Sequence, residues 1–97
     1  MALSSHANVY NTCLLILRGR GYELSVEGEL DADQIIEPSS LHWIAEKDDF
    51  RFLADNPIEL LGLSAIYEHK KPTSHESYWW SLDGPDIYVE LMDKAFR

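Results

Sequence analysis

The chain has 97 residues, 45% hydrophobic and 11% aromatic, with 8 Lys and Arg against 17 Asp and Glu, giving a net charge of −9. That length and apolar content specify one compact domain and exclude a disordered chain. Such an acidic surface repels phosphate backbones and anionic headgroups, so neither nucleic acid nor a membrane surface is an expected partner.

Cys13 is the single cysteine, which excludes an intramolecular disulfide and a cysteine zinc cage. Within "CLLIL" it reads as a small buried hydrophobe. No basic segment precedes the first apolar run, and no run is long enough to span a bilayer, so a cytoplasmic location is expected.

Ser4 or Ser5 can cap a first helix over residues 7–18, where Val9, Tyr10, Cys13, Ile16 and Leu17 recur at helical spacing. Gly19 and Gly21 supply stops. In "YELSVE" the period changes to two, with Tyr22, Leu24 and Val26 on one side of a half-buried strand. Residues 28–40, "GELDADQIIEPSS", read as an acidic loop.

"LHWIAEKDDFRFLAD" reads as a hairpin turning at Asp48-Asp49. That register sets Lys47 opposite Phe50, Glu46 opposite Arg51, Ala45 opposite Phe52, Ile44 opposite Leu53 and Trp43 opposite Ala54. Trp43, Ala45, Phe50, Phe52 and Ala54 then share a face, and Glu46 meets an opposite charge. Sliding by one residue mixes the faces. Ile44 and Leu53 are left as an apolar spot on the other face, where a sheet open to water is usually polar.

The second helix is announced by Asn56 as N-cap, Pro57 at the first position and Glu59 at the third. Lys70 and Lys71 suit its negative end, and Pro72 stops it. Ile58, Leu61, Ala65 and Ile66 are its expected core stripe, widened by Leu60, Leu63 and Tyr67. Gly62 costs about 1 kcal/mol inside a helix and calls for a close approach as compensation. After "KPTSHESYWWS", Gly84 and Pro85 open a last helix with Tyr88, Leu91, Met92, Ala95 and Phe96 in phase. The expected fold is therefore α+β, in the order α-β-β-β-α-α, with helices on one face of a three-stranded antiparallel sheet.

Helix–three strands–helix resembles the double-stranded-RNA-binding domain in connectivity. That family grips phosphates with lysines near the start of its second helix, where this chain reads "DNPIE". The resemblance therefore implies an order of elements and argues against RNA.

No phosphate loop, nucleophile elbow, zinc-protease motif or dinucleotide fingerprint occurs, so no catalytic residue is assigned and no cofactor is expected. His69 and His75, beside Glu68 and Glu76, are parted by Pro72, and their spacing enforces no metal site. Two functional expectations follow. The first is a non-catalytic protein-interaction module that docks on a protein with a basic surface. It would use Tyr78, Trp79 and Trp80, or the acids Glu27, Glu29, Asp31, Asp33 and Glu37, which lie in a stretch without Lys or Arg between Arg20 and Lys47. The second is a small-ligand protein or enzyme with an aromatic pocket built from Trp43 and Tyr78–Trp80. Adjacent tryptophans cannot both enter one core from a regular element. Trp79 is expected to pack on the domain, over the Ile44–Leu53 spot, with Trp80 partly exposed.

Overall fold

A computed structural model describes residues 1–28, 33 and 41–96. A single 3₁₀ turn leads into α1 (Tyr10–Gly19), followed by β1 (Glu23–Glu27), β2 (His42–Lys47), β3 (Phe50–Ala54), α2 (Pro57–Lys70) and α3 (Ile87–Ala95). The sheet is antiparallel in the order β1-β2-β3, so the fold is α+β with the expected succession of elements. No helix among the described residues is long and apolar enough to cross a membrane.

The hairpin has the register read from the sequence, from Trp43 opposite Ala54 to Lys47 opposite Phe50. Asp48 and Asp49 both take left-handed backbone angles, φ 51° and 68°, as a tight two-residue hairpin requires. β1 joins with Leu24 opposite Ala45 and Val26 opposite Trp43. Leu24, Trp43, Ala45, Phe52 and Ala54 thereby share the face on which α1 and α2 pack.

That side carries the core. Leu17 from α1, Tyr22, Ala45, Phe50, Phe52, Ala54, and Leu60 and Tyr67 from α2 form one buried cluster. Its rings meet edge-on or tilted, as Tyr22–Phe52 at 6.3 Å and Phe50–Tyr67 at 5.0 Å, the geometry that ring quadrupoles favour. Cys13 is buried and free.

Three local expectations are corrected. The first cap is His6, whose Nδ1 accepts from the Asn8 backbone N–H at 3.2 Å, and neither Ser4 nor Ser5. The last helix begins two residues after Pro85, capped by the Asp86 carboxylate, which accepts from Val89 N–H at 3.0 Å. The third correction concerns the face of α2. Its caps are as read, with Asn56 Oδ1 accepting from Glu59 N–H at 2.9 Å. Its buried residues, however, are Pro57, Leu60, Ser64 and Tyr67, while Ala65 and Ile66 of the expected stripe are exposed. The helix is apolar on both sides, so spacing alone did not choose between them. Ser64 joins the core because its hydroxyl donates to the Leu61 carbonyl at 2.6 Å.

The outer sheet face explains how an isoleucine is buried there. Arg51 of β3 stands opposite Glu46, Glu27 of β1 opposite His42, and Ile44 lies between Glu46 and His42 along β2. Arg51 pairs with Glu46 at 3.3 Å and reaches Glu27 at 2.8 Å. Its side chain therefore crosses β2 above Ile44, which is fully buried, and the apolar stem covers what the charges frame.

Candidate functional site

Turn geometry separates the adjacent tryptophans. Trp79 N–H donates to the Glu76 carbonyl and Ser81 N–H to the Tyr78 carbonyl, making two consecutive turns. Tyr78 sits at φ 57°, a left-handed conformation that costs a non-glycine residue roughly 1–2 kcal/mol. Trp79 is half-buried against the core, with its ring 5.3 Å from Phe50, 6.4 Å from Phe52 and 6.3 Å from Tyr67. Trp80 stands nearly perpendicular to it, at 85°, and 51% of its surface remains exposed. Trp79 thus closes the helix-side core at Phe50 and Tyr67. It does not cover the Ile44–Leu53 spot, which lies on the opposite face of the sheet, where Leu53 remains half exposed.

Tyr78 and Trp80 begin an apolar arm that continues through Leu82 into α3. Ile87, Tyr88, Val89, Leu91, Met92 and Phe96 are all exposed, Tyr88 by 75% and Phe96 by 84%. None of the α3 residues is buried. The helix is nonetheless two-sided. Tyr88, Leu91, Met92 and Ala95 line one side, and Asp86, Glu90 and Asp93 the other. The radius of gyration is 16.3 Å, against about 12–13 Å for a compact chain of this length, which fits an arm standing off the body.

At the base of the arm, Ala65, Ile66, His69 and Lys70 of α2, with Trp80 and Leu82, line an open groove of about 390 Å³. The α2 part of this groove is the side that the sequence had pointed inward. Gly62, one turn earlier on that side, is exposed, and a methyl group placed on it would meet nothing within 4 Å. The close neighbour expected to compensate Gly62 is absent from the described residues. Lys70 and Lys71 stand at the groove's end, and Lys70 Nζ donates to the Ser81 carbonyl at 2.9 Å, tying the arm's root to α2.

The acidic candidates fare differently. Glu27 is engaged by Arg51, which corrects the expectation that it stands unneutralised. Asp33 is exposed. Glu29, Asp31 and Glu37 lie outside the described residues. The aromatic candidates do not converge on one pocket. Trp43 lines a cleft with Asn11, Leu14 and Leu24, whereas Tyr78 and Trp79 border a depression with Lys70 and Pro72. His75 stacks on Phe50 at 4.3 Å, which gives it a packing role. Among the described residues no group of three or more His, Cys, Asp or Glu could hold a metal ion.

The titratable cluster at the hairpin end is structural in its chemistry. Lys47 Nζ donates to the Arg20 carbonyl at 2.7 Å and lies 5.1 Å from the centre of the Tyr22 ring. Tyr22 hydroxyl donates to Glu68, which also pairs with Arg20, and Tyr67 hydroxyl donates to Asp48 at 2.8 Å. Burial first, and the Glu68 charge second, push Tyr22 up to about 12. Burial and the Asp48 hydrogen bond raise Tyr67. Both phenols are held protonated, far from the neutral range in which a general acid–base group works.

No protein-family model, curated protein or solved structure matches the chain.

Proposed function

We propose that the chain is a small non-catalytic protein-interaction module that docks through its C-terminal arm. The observation that carries this is α3, a two-sided helix none of whose apolar residues is buried among the described residues. An isolated nine-residue helix is marginal in water and is ordinarily held by burying one face. A contiguous exposed apolar surface of this kind marks an interaction site, and a helix laid in a groove is a recurrent recognition mode. The partner surface that fits is an apolar groove bordered by cations. Asp83, Asp86, Glu90 and Asp93 outnumber Lys94 and Arg97 in this stretch of the sequence, and the chain as a whole carries −9. Trp80 and Tyr78 extend the contact at the root of the arm.

A photo-crosslinking residue at Tyr88, expressed in the native host, tests the reading. A discrete protein adduct is expected, and it should vanish when Leu91 and Met92 are both changed to Glu. An arm that yields no adduct at Tyr88, and none at Leu91, overturns the docking role.

A further inference from the structure

We propose that the partner groove is supplied by a second copy of this chain. In this arrangement α3 of each copy lies along the outward side of α2 in the other, making a closed, two-fold exchanged dimer. The inference rests on the docking role of the arm and names its occupant.

Three observations converge. The groove over Ala65, Ile66, Trp80 and Leu82 is apolar, and the chain itself carries a helix whose apolar stripe is exposed among the described residues. Gly62 opens the same side of α2, where its missing side chain lets a second helix approach closely. A glycine in mid-helix costs about 1 kcal/mol, and among the described residues no neighbour lies close enough to recover that cost. The charges agree locally as well. Lys70 and Lys71, with His69 beside them, stand at the groove's end, whereas the arm's stretch of sequence carries four acids against Lys94 and Arg97. Those acids lie across a helix about 10 Å wide from the stripe, within reach of an attraction whose screening length is about 8–10 Å.

Reciprocity makes the surface large enough. The stripe residues Tyr88, Leu91, Met92 and Phe96 would each remove on the order of 100 Å² from water, or about 400 Å² for the arm. Each copy gives one arm and receives another, so each buries about 800 Å², the size of a standard specific interface. The general repulsion between two chains of −9 is long-ranged and screened by salt, whereas the arm–groove contacts are short-ranged.

Sedimentation equilibrium on the purified full chain tests the arrangement. Wild type should sediment at twice the chain mass, and Leu91→Glu with Met92→Glu should leave a monomer of unchanged circular dichroism. Gly62→Leu should also be monomeric. It fills the open side of α2 without touching the monomer core and raises helix propensity, so a folding defect would not mimic the result. Lys71→Glu, which leaves the Lys70–Ser81 hydrogen bond in place, should weaken the dimer several-fold, and adding Glu90→Lys to that variant should restore it. A wild type that is monomeric at all accessible concentrations overturns the exchange, whether the arm binds another protein or folds onto its own α2. So does a dimer indifferent to Gly62→Leu, which would mean arms pairing with arms. An adduct at Tyr88 in the host together with a monomeric purified chain would refute self-exchange alone, whereas no adduct refutes the docking role itself.

Discussion

Replacing each tryptophan of the Trp79-Trp80 pair by alanine should give unequal losses, and the difference can be worked from the ring contacts. A fully buried tryptophan removes up to about 250 Å² from water, and Trp79, half-buried against Phe50, Phe52 and Tyr67, removes the larger part of that. At about 25 cal/mol per Å² the transfer term is about 4–5 kcal/mol as an upper bound, because the unfolded chain already shields some of the ring. A cavity beside Phe50 adds to the loss, while its position at the margin of the core lets neighbours relax into it. The expected cost of Trp79→Ala is about 3 kcal/mol, a large share of the stability of a small domain. Trp80 keeps half its surface in water and meets the rings of Tyr78 and Trp79 outside the core, so the same bookkeeping bounds its loss at about 3 kcal/mol, and with neighbours free to relax at the surface Trp80→Ala should cost about 1–2 kcal/mol. The assay is urea unfolding followed by far-ultraviolet circular dichroism, at a protein concentration low enough to keep the chain monomeric. The midpoint should move with an unchanged denaturant slope. Equal losses, or a larger loss for Trp80, would refute the reasoning that the left-handed turn at Tyr78 delivers one ring to the core and the other to the surface.

Alkaline stability should follow Tyr22. Its folded value of about 12 lies above its ordinary 10.0, so its stabilising contribution is complete below pH 10 and is lost as pH rises towards 12. The loss should reach roughly 2–3 kcal/mol, with Tyr67 acting in the same direction, and Tyr22→Phe should flatten the pH dependence of unfolding in that window. On the outer sheet face, Arg51→Met should cost under about 0.5 kcal/mol, because it keeps an apolar stem over Ile44 and gives up only exposed ion pairs. Arg51→Ala should cost more, about 1 kcal/mol, as read from urea midpoints, and equal costs would place the energy in the ion pairs. Asp49→Gly should raise the thermal midpoint by relieving a side chain at φ 68°, a gain of up to about 1 kcal/mol, whereas Asp48→Gly should show no such gain because it also removes the acceptor of the Tyr67 hydroxyl.

The parts of the fold legible in the sequence are those fixed by short-range chemistry. The hairpin register followed from Glu46 and Arg51 needing to meet and from two aspartates that tolerate left-handed angles. The ends of α2 followed from Asn56, Pro57 and Glu59, whose roles need only a few residues of context. What could not be read depends on the third dimension. Glu27 looks unneutralised along the chain, and only the three-strand register brings Arg51 across β2 to it. Ile44 looks stranded on a wet face until the same side chain is seen to cover it. Tyr78 gives no sign in the sequence of its left-handed angle, and that angle decides which tryptophan belongs to the core.

The turning of α2 that exposes Ala65 and Ile66 is the most informative of these differences. A helix on one face of a small sheet needs one apolar side, and hydrophobic spacing usually finds it. Here Ile58, Leu61, Ala65 and Ile66 supply a regular stripe, yet the buried residues are Pro57, Leu60, Ser64 and Tyr67, and of the stripe Leu61 packs on the core while Ala65 and Ile66 are exposed. The aromatic cluster decides the matter. Tyr67 meets Tyr22, Phe50, Phe52 and Trp79 at once, and turning it outward would break four ring contacts in the core. Once Tyr67 is inside, Ala65 and Ile66 must lie outside, because residues one and two steps away point elsewhere on a helix. Ala65 and Ile66, with Gly62 one turn earlier, are therefore exposed among the described residues. Among the described residues α3 also leaves its apolar stripe exposed, and these are the two surfaces that the proposed exchange would bring together.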